Sequence, residues 1–308
     1  MKQRIFVILM TYGSPKTISA VPQYLKNVYG GRDADEDNIK EFKRRYKLIG
    51  GSPLIKITKD QAKALEKELN EQAVNQTFTV EAGMRFSDPF IEDVIIKKAH
   101  KADSVVGIIM SPQYSPIIMK GYSKELTAAV EKLKNKPQLH IASDWHAQPY
   151  FIEALAEKIK ESLKKFPKKE RETVPVLFSA HSMPKRVIDK EPNYIDDLKD
   201  TAKRVATLLG LPKKRWMFCY QSAGHTPEEW LKPDFADIMP ELKAKGEKNV
   251  LIAPVQFLAD HLEILYDVGI GAREQAEENG IHFERTESLN TSPLFIKALS
   301  NVVWDTLA

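Results

Sequence analysis

Cysteine is nearly absent: Cys219 is the single thiol in 308 residues. One thiol excludes an intrachain disulfide and any four-cysteine metal cluster. Long apolar runs are missing too. No stretch approaches the roughly 18 apolar residues that span a bilayer. The N-terminus enters an expected strand, Arg4 to Met10, without the small-residue cleavage site of a signal peptide, so a cytoplasmic protein is expected. Strong charge of one sign is also lacking, since the formal net charge is only +4. Lys and Glu intersperse along stretches such as Lys56 to Glu71, which reads as a solvated helix face rather than a nucleic-acid footprint. No internal repeat, low-complexity segment or long linker interrupts the chain. What remains, 43% hydrophobic and 29% charged residues, describes a soluble globular protein long enough for two domains.

Short apolar runs alternate with amphipathic stretches throughout. Strands are expected at Ile5 to Met10, Thr77 to Ala82, Val105 to Met110, His140 to Ala142, Pro175 to Ser179, Trp216 to Tyr220, Val250 to Val255 and Ile281 to Arg285. Helices are expected at Asp60 to Leu69, Pro89 to Ala102, Tyr150 to Phe166, Asp196 to Leu209 and Leu262 to Glu278. That βαβα order predicts an α/β protein with parallel sheets and helices on both faces. The first set of units is complete near Ser143 to Gln148, which places a boundary between residues 1–145 and 146–308.

Two strand ends carry the chemistry. The apolar run Val250 to Phe257 stops at Asp260, His261, Glu263 and Asp267, all capable of binding a metal. On a helix, Glu263 and Asp267 share a face. Asp260 and Glu263 also fit a capping box, so this segment alone leaves a structural role open. The strand Val174 to Ala180 stops at His181-Ser182-Met183-Pro184. A single strand-end histidine is more often structural than catalytic. Two such edges, one with imidazole and one with carboxylates, make a shared site credible. That ligand set suits a divalent metal with open positions and also suits proton transfer.

The chain resembles the ferrochelatases, which insert ferrous iron into a porphyrin. Ser179-Ala180-His181-Ser182-Met183-Pro184 is similar to the family's Ser-Ala-His-Ser-Leu-Pro, and Asp260-His261-Leu262-Glu263 matches its second motif. Tyr220-Gln221-Ser222-Ala223-Gly224 with Thr226-Pro227 and Trp230-Leu231 fits between them. Upstream, Tyr12-Gly13-Ser14-Pro15, Arg45-Tyr46, Gly50-Gly51-Ser52-Pro53, Gly83-Met84-Arg85, Pro112-Gln113-Tyr114-Ser115 and Tyr122 follow in family order. Pro293-Leu294-Phe295 precedes the last helix.

The resemblance implies two similar doubly wound halves, flavodoxin- or Rossmann-like, with the active site in the cleft between them and the last helix packing back on the first half. It implies a catalytic and metal-binding pair, His181 and Glu263, without settling which takes iron and which takes protons. Asp260, His261 and Asp267 become a possible metal or proton path. Tyr12 becomes an axial contact to iron, and Arg45, Tyr46, Ser52, Tyr122 and Arg85 become candidates for gripping propionates. Trp230 becomes a wall of the pocket. Iron is then a substrate, with no permanently bound cofactor and no iron–sulfur cluster, and a monomer is expected.

Some positions depart from the family. Ala223 stands where many bacterial relatives carry Glu, Tyr29 where coproporphyrin-type relatives carry Arg, and Phe86 where some have His. Gly271 replaces an acid beyond Asp267. The acidic segment Gly31 to Lys40 stands where membrane-associated relatives have an apolar lip, so no stable membrane association is expected. Coproporphyrin III is the expected substrate, with protoporphyrin IX possible. Two alternatives are a cobalt chelatase of a corrin or sirohaem pathway and a non-catalytic porphyrin- or haem-binding protein.

Overall fold

The computed structural model describes residues 2–142, 144–189, 191–224 and 228–308. Ser143, at the expected boundary, and Thr226 and Pro227, within the family-like segment, lie outside the described residues. The chain forms two compact units, Met1–Trp145 with Asn290–Ala308, and His146–Leu289.

In the first unit, strands β1 (Gln3–Thr11), β2 (Gln76–Met84), β3 (Ser104–Ile109) and β4 (Gln138–Ala142) form a parallel sheet in the order β2-β1-β3-β4. Helices α1 (Val21–Val28), α2 (Glu36–Leu48), α3 (Leu54–Gln72), α4 (Ile91–Lys98) and α5 (Pro116–Glu131) belong to this unit. In the second, β5 (Val176–His181), β6 (Trp216–Gln221), β7 (Asn249–Pro254) and β8 (His282–Arg285) repeat the pattern in the order β6-β5-β7-β8. Its helices are α6 (Pro149–Leu163), α7 (Lys185–Ile188), α8 (Pro192–Leu208), α9 (Phe235–Ala244), a π-helix (Glu263–Ala272) and α10 (Arg273–Glu278). The final helix α11 (Pro293–Leu307) packs against α3 and β4 of the first unit.

The central strands are apolar along their whole length because helices cover both faces. Ile5 to Met10 are all at most 3% exposed, and every residue of β3 is buried. One core of the first unit joins Phe6, Ile8 and Met10 to Ile95, Leu126 and Ala129. One core of the second joins Leu177, Cys219 and Ile252 to Ile238, Ile264 and Phe283. Polar side chains start several helices: Asp35 caps α2, Ser115 caps α5, Gln148 caps α6, and Asp234 with Asp237 forms a capping box on α9.

The strand order places the site. In each unit the chain leaves the second central strand on the opposite side from the first, which opens a crevice at the carboxyl ends of those two strands. In the second unit these strands are β5, which ends at His181, and β7, which leads into Asp260 to Glu263. The expected helix over Leu262 to Glu278 differs in kind. Glu263–Ala272 winds as a π-helix, followed by an α-helical Arg273–Glu278. Such wide turns concentrate at functional sites.

Candidate active site

His181 is the last residue of β5 and is half-buried. Its backbone N–H donates to Gln256 Oε1 at 2.9 Å. Its ring Nδ1 donates to the Ser182 carbonyl, which assigns the proton to that nitrogen. In the neutral ring the other nitrogen, Nε2, then presents a lone pair. It stands 3.6 Å from Oε2 of Glu263, the first residue of the π-helix. Glu263 Oε2 is buried and has no hydrogen-bond partner. Glu263 Oε2 thus faces the His181 ring nitrogen with no hydrogen bond of its own, an arrangement that favours a proton or a cation between the two. Bonds of roughly 2.1 Å, usual for imidazole and carboxylate on a first-row metal, would span that separation at an angle of roughly 120°.

Layers beneath hold the pair. Ser179 Oγ donates to Gln221 Oε1 at 2.6 Å, both buried, directly under the strand end. The Ser182 N–H donates to the Gln221 carbonyl at 2.7 Å, and its hydroxyl donates to the Leu231 carbonyl at 3.0 Å. Pro184 bridges to Trp230, so the Trp230 segment lies along the chain that leaves His181. Gly224 is a close approach: a Cβ there would come within 2.5 Å of the Trp230 ring.

The remaining acids divide. Asp267 lies on the same π-helix as Glu263 and accepts from Ser222 Oγ at 2.5 Å. Ser222 takes the left-handed region at φ 58° to make that contact. Asp260 accepts from Ser288 Oγ at 2.9 Å and from Arg285 at 3.4 Å. The π-helix begins with no side-chain cap at Leu262, and the Asp260 carboxylate pairs with Arg285 and Ser288. His261 Nδ1 donates to the Ala259 carbonyl at 2.9 Å, and its ring tilts against Phe257 at 4.6 Å.

The first-unit candidates sit as follows. Tyr12, just past β1's last apolar residues, is 45% exposed, with its ring 4.5 Å from Phe86. Arg85 stacks over Phe86 and Tyr122 at 4.8 and 5.4 Å and donates to Glu125 at 3.0 Å. Tyr122 is buried, and burial pushes its phenol well above the usual range. Gly121 gives Arg85 its berth, since a Cβ there would meet the guanidinium at 2.0 Å. A cavity of about 620 Å³ borders Arg85, Gly121 and Glu125. Arg45 donates to Glu41 at 2.7 Å, Tyr46 is buried, and Ser52 Oγ accepts from the Leu54 N–H at 3.4 Å.

The second unit therefore brings His181 and Glu263 together and sets Asp267 on the same helix, while Asp260 turns to Arg285. Gln256 was not among the residues singled out from sequence. Its only signal is its place two residues past β7. Among the described residues no helix is long and apolar enough to cross a membrane.

A family model described as Ferrochelatase matches residues 4–307. The chain is 40% identical over 306 residues to a protein named Ferrochelatase from Herpetosiphon aurantiacus, covering 98% of this chain and 99% of that one. It is 38% identical over 306 residues to the Coproporphyrin III ferrochelatase of Geobacillus kaustophilus, covering 98% and 96%. Among solved structures it is similar to SirB from Bacillus subtilis with Fe3+, with a TM-score of 0.58, 13% identity and coverage of 100% and 96%. CbiX, described as the terminal enzyme for biosynthesis of sirohaem in denitrifying bacteria, gives a TM-score of 0.56 at 11% identity, covering 99% and 100%. At those identities the structural likeness shows the fold alone.

Proposed function

The chain belongs to the ferrochelatase family, lyases that insert iron into a porphyrin in haem synthesis, and we propose that it metallates coproporphyrin III at the His181–Glu263 pair. The observation that carries this reading is the buried Glu263 Oε2, without a hydrogen-bond partner, held 3.6 Å from His181 Nε2 at a strand switch point.

A free-base porphyrin is flat, and two of its four inward nitrogens carry protons. A metal enters only when a nitrogen lone pair is turned out of plane and both protons have somewhere to go. Binding contacts remote from the ring centre offset the strain of bending it. In the proposed sequence, Fe2+ is first held by His181 Nε2 and Glu263 Oε2. As the pyrrole nitrogens take over the metal, the two vacated acceptors each receive one proton, so Fe2+ goes in and two protons come out. Asp267, on the same helix, is the next carboxylate for carrying them away. Imidazole suits the first transfer because the same ring nitrogen can hold either a metal or a proton.

Tyr12 is proposed as the axial contact to product iron and Trp230 as an aromatic wall. Arg45, Tyr46, Ser52, Tyr122 and Arg85 are proposed to receive propionates, each charge-assisted contact contributing about 1 to 3 kcal/mol. Four propionates use such a set better than two, and several relatives carry the coproporphyrin name. The enzyme is proposed to work in the cytoplasm as a monomer without a resident cofactor. Cys219 is buried within β6, and a lone thiol cannot hold an iron–sulfur cluster.

Anaerobic insertion of Fe2+ into coproporphyrin III and protoporphyrin IX, in detergent-free buffer, tests the substrate. A specificity constant about tenfold or more higher for coproporphyrin III is expected. Equal or better turnover of protoporphyrin IX would overturn the substrate assignment.

A further inference from the structure

β7 stops at Pro254, and its last pairing with β5 is Ser179 with Pro254, followed by the Val255 N–H donating to the Ser179 carbonyl at 2.9 Å. On that side His181 has no strand neighbour. The Gln256 side chain fills the gap: its Oε1 takes the His181 N–H where a backbone carbonyl would otherwise stand. The other end of the same amide does not point to solvent. Nε2 donates to the Tyr194 hydroxyl at 2.5 Å. Tyr194 belongs to the first turn of α8 and is 1% exposed, among the largest fully buried side chains of the protein. Burial raises its phenol, and the Glu263 carboxylate adds to that push.

One side-chain amide therefore ties together the end of β5, the loop after β7 and the start of α8. We infer that Gln256 is a positioning residue: through its two hydrogen bonds, to the His181 backbone and to the buried Tyr194 hydroxyl, it sets the spacing between His181 Nε2 and Glu263 Oε2 that the metal needs. Neither Gln256 nor Tyr194 touches metal in this account. They act on where the imidazole and carboxylate stand. Partners of this kind, one shell out from the ligands, ordinarily change metal affinity or activity by roughly 10- to 100-fold when removed.

This inference rests on the proposed metal-handling role of the pair, and its test separates the two. Gln256→Met keeps the volume and removes both hydrogen bonds, whereas Tyr194→Phe removes one and leaves the His181 bond in place. Zn2+, which does not oxidise in air, serves as the probe metal, with insertion followed by the porphyrin spectrum. Gln256→Met should raise the KM for Zn2+ about tenfold. The KM for porphyrin should stay unchanged, a split that simple loss of folded protein cannot produce. Tyr194→Phe should give a smaller rise. The double variant should be no worse than Gln256→Met, because the Tyr194 contact acts only through Gln256. An unchanged metal KM in Gln256→Met, or effects of the two substitutions that multiply, would overturn the inference. Failure of the unaltered enzyme to insert any metal would remove the reading it rests on instead.

Discussion

Replacing Glu263 with Gln separates a catalytic carboxylate from a structural one. The amide has the same shape, so packing around the first turn of the π-helix is kept. Oε2 is buried with no hydrogen-bond partner, so replacing that oxygen breaks no hydrogen bond. The new NH2 group can instead close the 3.6 Å gap and donate to His181 Nε2. A neutral hydrogen bond of that kind contributes about 1 kcal/mol. For a unit of this size that corresponds to an unfolding midpoint raised by roughly 2 to 4 °C. Activity should move the other way. The amide cannot accept a proton, and it occupies the imidazole lone pair. Loss of a general acid–base group costs about a hundredfold or more, equivalent to about 2.7 kcal/mol of barrier. Insertion rates measured beside thermal unfolding read both quantities. A variant that turns over at near wild-type rate, or one that loses activity only because it melts several degrees earlier, would refute the reasoning.

Other expectations follow from single contacts. Gly121→Ala would set a Cβ 2.0 Å from the Arg85 guanidinium and should push it off Glu125, raising the KM for porphyrin with little change in unfolding midpoint. Ser222→Ala and Ser222→Gly both remove the hydroxyl on Asp267. The glycine variant should be the more stable of the two by about 1 kcal/mol, because φ 58° strains only a residue with a Cβ. Glu41 is held down to about 2, chiefly by its hydrogen bond from Arg44 and then by Arg45. Its folded value is depressed, so the stability it adds is present above its ordinary value of 4.5 and is lost as pH falls toward about 2. Glu41→Gln should therefore cost less than about 1 kcal/mol at pH 7, and the difference should shrink in high salt and at pH 3, as denaturation at each condition would show.

The strands were the most legible part of the chain. Parallel strands buried on both faces read as apolar runs, and all eight appear within a few residues of where the pattern puts them. Helices with weaker signals were harder to see. Helix α2 is rich in charge, so Glu36 to Lys40 reads as an acidic segment, although Asp35 caps it on the Asn38 N–H. Helix α9 contains Pro240, which ordinarily argues against a helix interior. The π-helix has no sequence signal that distinguishes it from the α-helix expected at the same place. At the site, His181 and Glu263 were readable because each follows an apolar strand. The brace beneath them was not. Tyr194 lies 13 residues beyond His181, in helix α8, and only the fold shows that Gln256 reaches it. The strand-end pattern alone marks both Asp260 and Glu263 as metal-capable, and the family resemblance sets Glu263 apart; in the fold, Asp260 pairs with Arg285 and Ser288.

The central claim is that His181 and Glu263 act on the metal rather than on the fold or the porphyrin. Single-turnover insertion of Fe2+ under anaerobic conditions, comparing the unaltered enzyme with His181→Ala on pre-bound coproporphyrin III, tests it most directly. The account predicts porphyrin affinity within a few-fold of the unaltered enzyme and an insertion rate lower by about a hundredfold or more. Iron insertion by His181→Ala at near the unaltered rate would contradict it.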